Sequence, residues 1–151
     1  MTSNNNLLEI WLSENKTKFI KDFNIKYKSW LKAGGVVKTF ITPNNETDCI
    51  KLIKFFHENK FAFYVLGNIS NIIIRDGIIN TPIINLHKLS DIFEKHTDEN
   101  YKFKVNAGAS IPKFSKYLVN KGITGFEGLV GVPGTLGGGI VMNTSSYGSC
   151  I

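Results

Sequence analysis

Half of the chain's 14 glycines fall between Gly128 and Gly148, at Gly128, Gly131, Gly134, Gly137, Gly138, Gly139 and Gly148. Glycine loses more conformational freedom on folding than any other residue, so such a cluster is unfavourable unless the backbone must do something that side chains forbid. The usual reasons are turns with φ > 0 and close approach of main-chain N–H groups to a ligand, often a phosphate. The spacing excludes two nucleotide loops. No G-x-x-x-x-G-K-[ST] pattern occurs, and the glycines do not fit G-x-G-x-x-G between a strand and a helix. Pro133 also opposes the helix that either loop would need. Taken alone, the segment is open to two readings, a structural crossover and a ligand loop.

A second loop of related character lies earlier, at Val65-Leu66-Gly67-Asn68-Ile69-Ser70-Asn71. Gly67 frees the backbone at the end of an apolar run, Ser70 brings a hydroxyl, and Asn68 and Asn71 tolerate left-handed geometry and carry amide donors. Successive N–H groups in such a turn form a concave anion site, although a plain polar β-turn has the same composition.

Catalytic constellations are missing. His57, His87 and His96 are isolated and read as surface or internally satisfied residues. Ser70, Ser110 and Ser145 lack a G-x-S-x-G context. Glu127, among apolar and glycine neighbours, reads as a loop-stabilising carboxylate. Cys49 and Cys150 fit no metal or redox spacing, and Cys49 is expected as a small buried side chain in a helix. Two glycine-bearing loops without an acid, base or metal set point to holding a cofactor.

The net charge of +6 comes almost wholly from scattered lysines, with Arg75 the one arginine. Lys26 and Lys28 flank Tyr27, but no recognition motif accompanies them, so a solvated basic face is expected and not a nucleic-acid interface. The apolar run at Leu7–Leu12 is too short for a signal sequence, and Arg75 and Asp76 interrupt the Ile-rich region below membrane-spanning length. A cytoplasmic chain with no membrane partner is expected.

With 151 residues, 42% of them hydrophobic, the chain has room for one domain or two small subdomains with a real core. Periodicity predicts an amphipathic helix over Leu7–Phe23 and a strand over Val36–Ile41. A second helix follows, capped by Asn44 or Asn45, with Cys49, Ile50, Leu52, Ile53 and Phe56 as its apolar face. Strands are expected at Phe61–Leu66, Ile72–Ile74, Ile83–Leu86 and Tyr101–Val105, and a helix at Pro112–Asn120 ended by Gly122. The alternation gives a mixed α/β reading.

In this order the pieces resemble the N-terminal, flavin-binding part of the UDP-N-acetylenolpyruvoylglucosamine reductase (MurB) family. Ser29-Trp30-Leu31-Lys32-Ala33-Gly34-Gly35 is similar to the family's T-W-F-R-V-G-G. The Gly67 loop is similar to L-G-x-G-S-N, and Arg75-Asp76-Gly77 matches the turn after it. Asn106-Ala107-Gly108-Ala109 resembles the G-A-G strand end. Gly125 to Gly138 resembles G-L-E-x-L-x-G-I-P-G-T-V-G-G, and Asn143 to Gly148 resembles N-A-G-A-Y-G.

The resemblance implies an α+β, vanillyl-alcohol-oxidase-type (PCMH) FAD-binding fold of two subdomains with FAD between them. The division expected is a helical extension over 1–28, a first FAD-binding subdomain over 29–87 and a second, incomplete one over 88–151, with the substrate-binding domain absent. It also implies cofactor-binding roles for Leu66, Gly67, Asn68, Ile69, Ser70 and Asn71, for Gly108, and for Gly131, Val132, Pro133, Gly134, Thr135, Gly137, Gly138 and Ile140, together with Asn143, Tyr147 and Gly148. In the family, NADPH reduces FAD, which reduces an enolpyruvyl UDP-sugar to UDP-N-acetylmuramate for peptidoglycan synthesis.

Two departures matter. Ile69 replaces the second glycine of the first loop, which predicts a β-branched side chain facing phosphate and strain if φ is positive there. The family's Tyr-Arg pair, proton-donating serine and C-terminal glutamate have no counterpart up to Ile151. No catalytic or metal-ligating residue is therefore assigned, and the chain alone is expected to be inactive. An FAD-linked oxidase of the same superfamily and a non-catalytic flavin-domain remnant stay open as alternatives.

Overall fold

The computed structural model describes residues 2–97 and 100–151. The first helix, α1 (Thr2–Glu14), buries Leu8 and Leu12. It ends much earlier than the periodicity predicts. Lys16 turns left-handed at φ 54°, and Thr17 donates its N–H to the Leu12 carbonyl at 2.9 Å, closing the last turn. The chain reverses into a strand, β1 (Lys18–Asn24), so Phe19 and Phe23 belong to a sheet. Their spacing of four suits a helical face and one face of a strand alike. Residues 1–28 are accordingly more than a helical extension, because β1 lies antiparallel to β2 (Val36–Thr42) and is part of the main sheet.

Asn45 caps α2 (Glu46–Glu58), accepting the Asp48 N–H at 2.9 Å. The buried face of α2 is Asp48, Leu52, Phe55 and Phe56. Ile50 is exposed and Cys49 only half-buried, because Phe55 takes the position facing α1, where it stacks on Trp11 with centroids 4.8 Å apart. Burial raises the Cys49 thiol pKa, with Asp48 and Glu46 adding to the shift.

Three short strands complete the sheet: β3 (Tyr64–Leu66), β4 (Ile78–Ile79) and β5 (Ile83–Asn85). The order is β1-β2-β5-β3, with β4 also beside β2, and the β2, β3, β4 and β5 pairings are parallel. Parallel strands need a crossover, which α2 supplies. Ile72–Ile74, expected as a strand, runs without ladder pairing before the Arg75–Gly77 turn. Adjacent side chains project to opposite faces. Ile41 and Ile84 meet α1 and α2, whereas Phe40 and Ile83 join Ile25, Val37 and Ile69 in a second cluster.

The remainder of the chain opens with an antiparallel hairpin, β6 (Ile92–Thr97) and β7 (Asn100–Val105). The side chain of His96 lies outside the described residues. Next come α3 (Ile111–Asn120), capped by Ser110 with Pro112 in its first turn, and a short helix, α4 (Leu136–Val141), capped by Thr135. Gly122 ends α3 at φ 72°, as expected. Phe103, Phe114 and Phe126 form an edge-to-face column, with centroids 5.7 Å apart at both contacts. A last hairpin, β8 (Ser145–Ser146) and β9 (Ser149–Cys150), turns through Tyr147 and Gly148 at φ 48° and 82°, as a two-residue type I′ loop requires.

One buried carboxylate ties the sheet to α2. Asp48 accepts the Thr17 hydroxyl at 2.5 Å and both the N–H and the carboxamide of Asn44, at 2.8 and 3.0 Å. Replacing it takes the acceptor from the buried Thr17 hydroxyl and from the Asn44 N–H, while the Asn44 carboxamide keeps the Lys16 carbonyl at 3.0 Å. Asp48→Ala is expected to lower stability by about 2–4 kcal/mol. In urea unfolding the midpoint should fall with the slope unchanged, and a shift under about 0.5 kcal/mol would contradict this account.

Candidate functional site

The segment after β3 and the segment leading into α4 are pressed together. The Ser70 hydroxyl donates to the Pro133 carbonyl at 2.8 Å, and a Cβ on Gly67 would overlap the Thr135 hydroxyl. Behind them, Ile111 N–H reaches the Gly134 carbonyl at 3.1 Å, Leu136 N–H that of Ala109 at 2.7 Å, and Gly137 N–H that of Ala107 at 2.9 Å. A Cβ on Gly137 would come 2.7 Å from the Ala107 Cβ, so glycine is required there by protein packing.

Between the two segments lies a cavity of about 720 Å³, within the usual range for small-molecule and cofactor sites. Of the residues expected around a cofactor, it brings together Leu66, Gly67, Asn68, Ile69, Ser70, Asn71, Pro133, Gly134, Thr135, Gly137 and Gly138. Val65, Ile72, Leu86, Ala107, Ile111, Gly139, Val141, Met142 and Thr144 complete the lining and were not anticipated. The pattern carried a signal for Val141 and Met142, an apolar run directly after the glycines.

Seven expected residues fall outside the lining. Gly108 is buried where a Cβ would overlap the Leu86 carbonyl, so it serves chain packing. Gly131 and Val132 belong to the turn that follows Leu129, with Val132 N–H on the Leu129 carbonyl at 3.1 Å. Ile140 sits on the exposed side of α4, and Asn143 is its left-handed exit at φ 48°. Tyr147 and Gly148 form the hairpin tip, where Tyr147 is 97% exposed.

No lining residue carries a charge. Polar recognition must therefore come from amides and hydroxyls. The second segment spends the N–H groups of Leu136, Gly137 and Gly139 on backbone carbonyls and that of Gly138 on the Thr135 hydroxyl at 3.3 Å. The first segment does not. Among the described residues, the N–H groups of Gly67, Asn68, Ile69, Ser70 and Asn71 have no protein acceptor, nor do the carboxamides of Asn68 and Asn71. Consecutive free amides beside an apolar wall suit a ligand with an anionic linker and a large uncharged ring. Pro133 opposes a helix only through itself, for α4 begins three residues later under its Thr135 cap.

Ile69 adopts φ 54°, so the anticipated left-handed backbone is present. Its side chain does not face the loop's open side. It is 5% exposed and buried with Ile25, Val37, Phe40 and Ile83. The left-handed conformation costs about 1–2 kcal/mol, and burying the isoleucine contributes about 1.5–3 kcal/mol, so the two offset.

Glu127 accepts the Gly125 N–H at 2.7 Å, the expected loop-stabilising part. Among the described residues, no three His, Cys, Asp or Glu side chains assemble into a metal site, and no helix is long and apolar enough to cross a membrane.

Comparison with known proteins settles the family. A family model described as FAD binding domain matches residues 37–151. The chain belongs to the FAD binding domain family. Among curated relatives, the UDP-N-acetylenolpyruvoylglucosamine reductase of Streptococcus pneumoniae (strain JJA) is 31% identical over 89% of this chain and 46% of its own length. That of Rickettsia typhi is 37% identical over 89% of this chain and 44% of its own. The chain is thus MurB-like in sequence and spans less than half the length of these reductases. Among solved structures, MurB from Thermus caldophilus superposes with a TM-score of 0.64 at 21% identity, covering 89% of this chain and 44% of that one. Cholesterol oxidase from Brevibacterium sterolicum gives 0.63 at 15% identity, over 86% and 25%. The fold is the α+β FAD-binding fold, and the free amides and uncharged apolar cavity fit that cofactor.

Two outcomes test this site. Ile69→Gly relieves backbone strain but empties a core position, and is expected to destabilise the chain by about 1–3 kcal/mol in urea unfolding; a more stable variant would refute the trade. His87, half-buried, has its pKa lowered by desolvation and then by Lys28 and Lys88. The unfolded chain then takes up this proton more readily, so His87's contribution to stability is present above about pH 6.5 and is lost as pH falls from there towards the folded value. Lys28→Met should raise the His87 pKa in an NMR titration, and an unchanged value would refute the coupling.

Proposed function

We propose that this chain holds FAD in the cavity between its two loop segments, as the flavin-binding portion of a reductase acting on UDP-N-acetylenolpyruvoylglucosamine. The observation that carries the reading is the run of unpaired N–H groups from Gly67 to Asn71 beside a wall with no charge. In this reading the Gly67–Asn71 amides and the Asn68 and Asn71 carboxamides take the pyrophosphate. Thr135, Gly134 and Gly138 close the opposite side, and Leu66, Ile111, Val141 and Met142 line the space for the ring. FAD supplies the capacity to accept and pass on a hydride. The chain's own residues bind it, orient it and exclude water from its apolar side.

NADPH as hydride donor and the enolpyruvyl UDP-sugar as acceptor come from the resemblance and the similarity to the reductases. No described residue of this chain is assigned to proton transfer. The expectation that the chain alone is inactive belongs to the same proposal.

The purified chain is expected to quench the fluorescence of added FAD with one-to-one stoichiometry. Because the cavity offers dipoles and no ion pairs, affinity should change by less than about threefold between low and high salt. A folded chain that leaves FAD fluorescence unchanged would overturn the cofactor reading. A steep salt dependence would overturn the assignment of phosphate binding to the amides. Gly67→Ala, which forces a Cβ into Thr135, should weaken FAD at least about tenfold while leaving the far-ultraviolet circular dichroism intact.

A further inference from the structure

Directly behind the open loop lies a polar cluster to which the cofactor reading gives no part: Asn85, His87 and Lys28. Asn85 ends β5 and is 1% exposed. Its carboxamide nitrogen donates to two carbonyl oxygens at the end of β3, those of Leu66 at 3.2 Å and Gly67 at 2.6 Å. Only an N–H group can serve two carbonyls, so the Asn85 oxygen must point the other way. There it meets Nδ1 of His87. An amide oxygen only accepts, so Nδ1 must carry the ring proton. In the neutral ring Nε2 is then a bare acceptor, and the Lys28 ammonium lies 3.4 Å from it. Each atom's role follows from the one before, starting at two backbone carbonyls.

Those carbonyls matter because peptide units are planar and trans, with C=O and the following N–H pointing in opposite directions. No cis peptide occurs among the described residues. The Leu66 oxygen also accepts the Leu86 N–H at 2.9 Å, so Asn85 shares in turning the Gly67 N–H outwards, whereas among the described residues Asn85 alone holds the Gly67 oxygen and so turns the Asn68 N–H away from itself. These are the first two unpaired amides of the loop. The Trp30 N–H does the same further along, engaging the Ile69 oxygen at 3.2 Å and turning the Ser70 N–H outwards.

We propose that His87 is a positioning residue for the cofactor loop: in its Nδ1-protonated tautomer it fixes the Asn85 carboxamide, which in turn aims the Asn68 N–H, and helps to hold that of Gly67, towards the bound anion. The proposal rests on the cofactor reading for its ligand but not for its geometry. Without the histidine donor, the buried Asn85 oxygen is unsatisfied, and the carboxamide is free to rotate off the two carbonyls. The charged groups facing His87 are Lys28 and Lys88, both cationic, and among the described residues no carboxylate competes with Asn85 for its proton.

The test uses the full chain. Nitrogen-15 NMR of the wild type near pH 8 is expected to show the His87 proton on Nδ1 and a bare Nε2. His87→Phe keeps bulk but removes the donor, and should displace the Gly67 and Asn68 amide resonances and weaken FAD about tenfold, the effect of one lost hydrogen bond to a buried acceptor. His87→Asn restores a donor near the Nδ1 position and should return the resonances, with affinity within about threefold of wild type. A merely structural histidine would not separate these two variants. A proton on Nε2, or Phe and Asn variants that behave alike, would overturn the proposal. If the wild type takes up no flavin, the cofactor reading fails, and the ring tautomer with the Gly67 and Asn68 resonances still decides the latch. If His87→Phe does not fold, the wild-type tautomer decides it alone.

Discussion

The contact between Gly67 and Thr135 is the constraint from which the site follows. Glycine's missing side chain lets the end of a parallel strand lie directly on the residue that caps α4. With the strand end seated there, Ser70 reaches Pro133, and the cavity forms between two segments that sequence separates by more than sixty residues. Thr135 is 5% exposed and has two tasks, as wall of the loop contact and as N-cap accepting Gly138 N–H. A larger residue at 67 would part the two segments and remove the cavity between them.

The glycine cluster thereby changes meaning. Close approach to a ligand is one reading, and the structure gives three of these seven glycines another partner. Gly137 lies on Ala107, Gly128 on the Ser146 carbonyl, and Gly139 against Ile111 and Ile151. These are chain-to-chain contacts, and they bring a second backbone segment close enough to form a wall. The open amides belong to the earlier loop, which contains a single glycine. Its left-handed residue is Ile69, held there by the burial of its own side chain. Tertiary packing supplies the conformation that a glycine would reach by local freedom alone.

Where the sequence spoke in long patterns it was legible. Val36–Thr42, α2 with its Asn45 cap, and α3 with Pro112 and Gly122 lie within a residue or two of the expected bounds. The misreadings were local ambiguities settled by tertiary contacts. Phe19 and Phe23 fit a helix as well as a strand until β2 offers a partner. Ile72–Ile74 has strand composition, but no neighbouring strand pairs with it. For the site, the motifs picked out both loops and most of the cavity lining. They could not show that Tyr147 sits at an exposed hairpin tip, because an aromatic–glycine pair reads the same in a turn and in a ligand contact. Asn85 and His87 had no motif at all, since their significance lies in which atoms of Leu66 and Gly67 they reach.

The composition of α4, Leu-Gly-Gly-Gly-Ile-Val, gives it almost no helical tendency of its own. Three glycines cost about 2–3 kcal/mol relative to alanine, and a helix of six residues cannot recover that from its own hydrogen bonds. The wall it forms is therefore a borrowed structure, held by Thr135, Ala107 and Ile111 and lost when those contacts loosen. Such an element belongs to the low-stability end of a fold, opening well before the sheet does. Half of the cavity is thus built on a cooperative unit that a ligand can order, so that filling the site and folding its wall become linked equilibria.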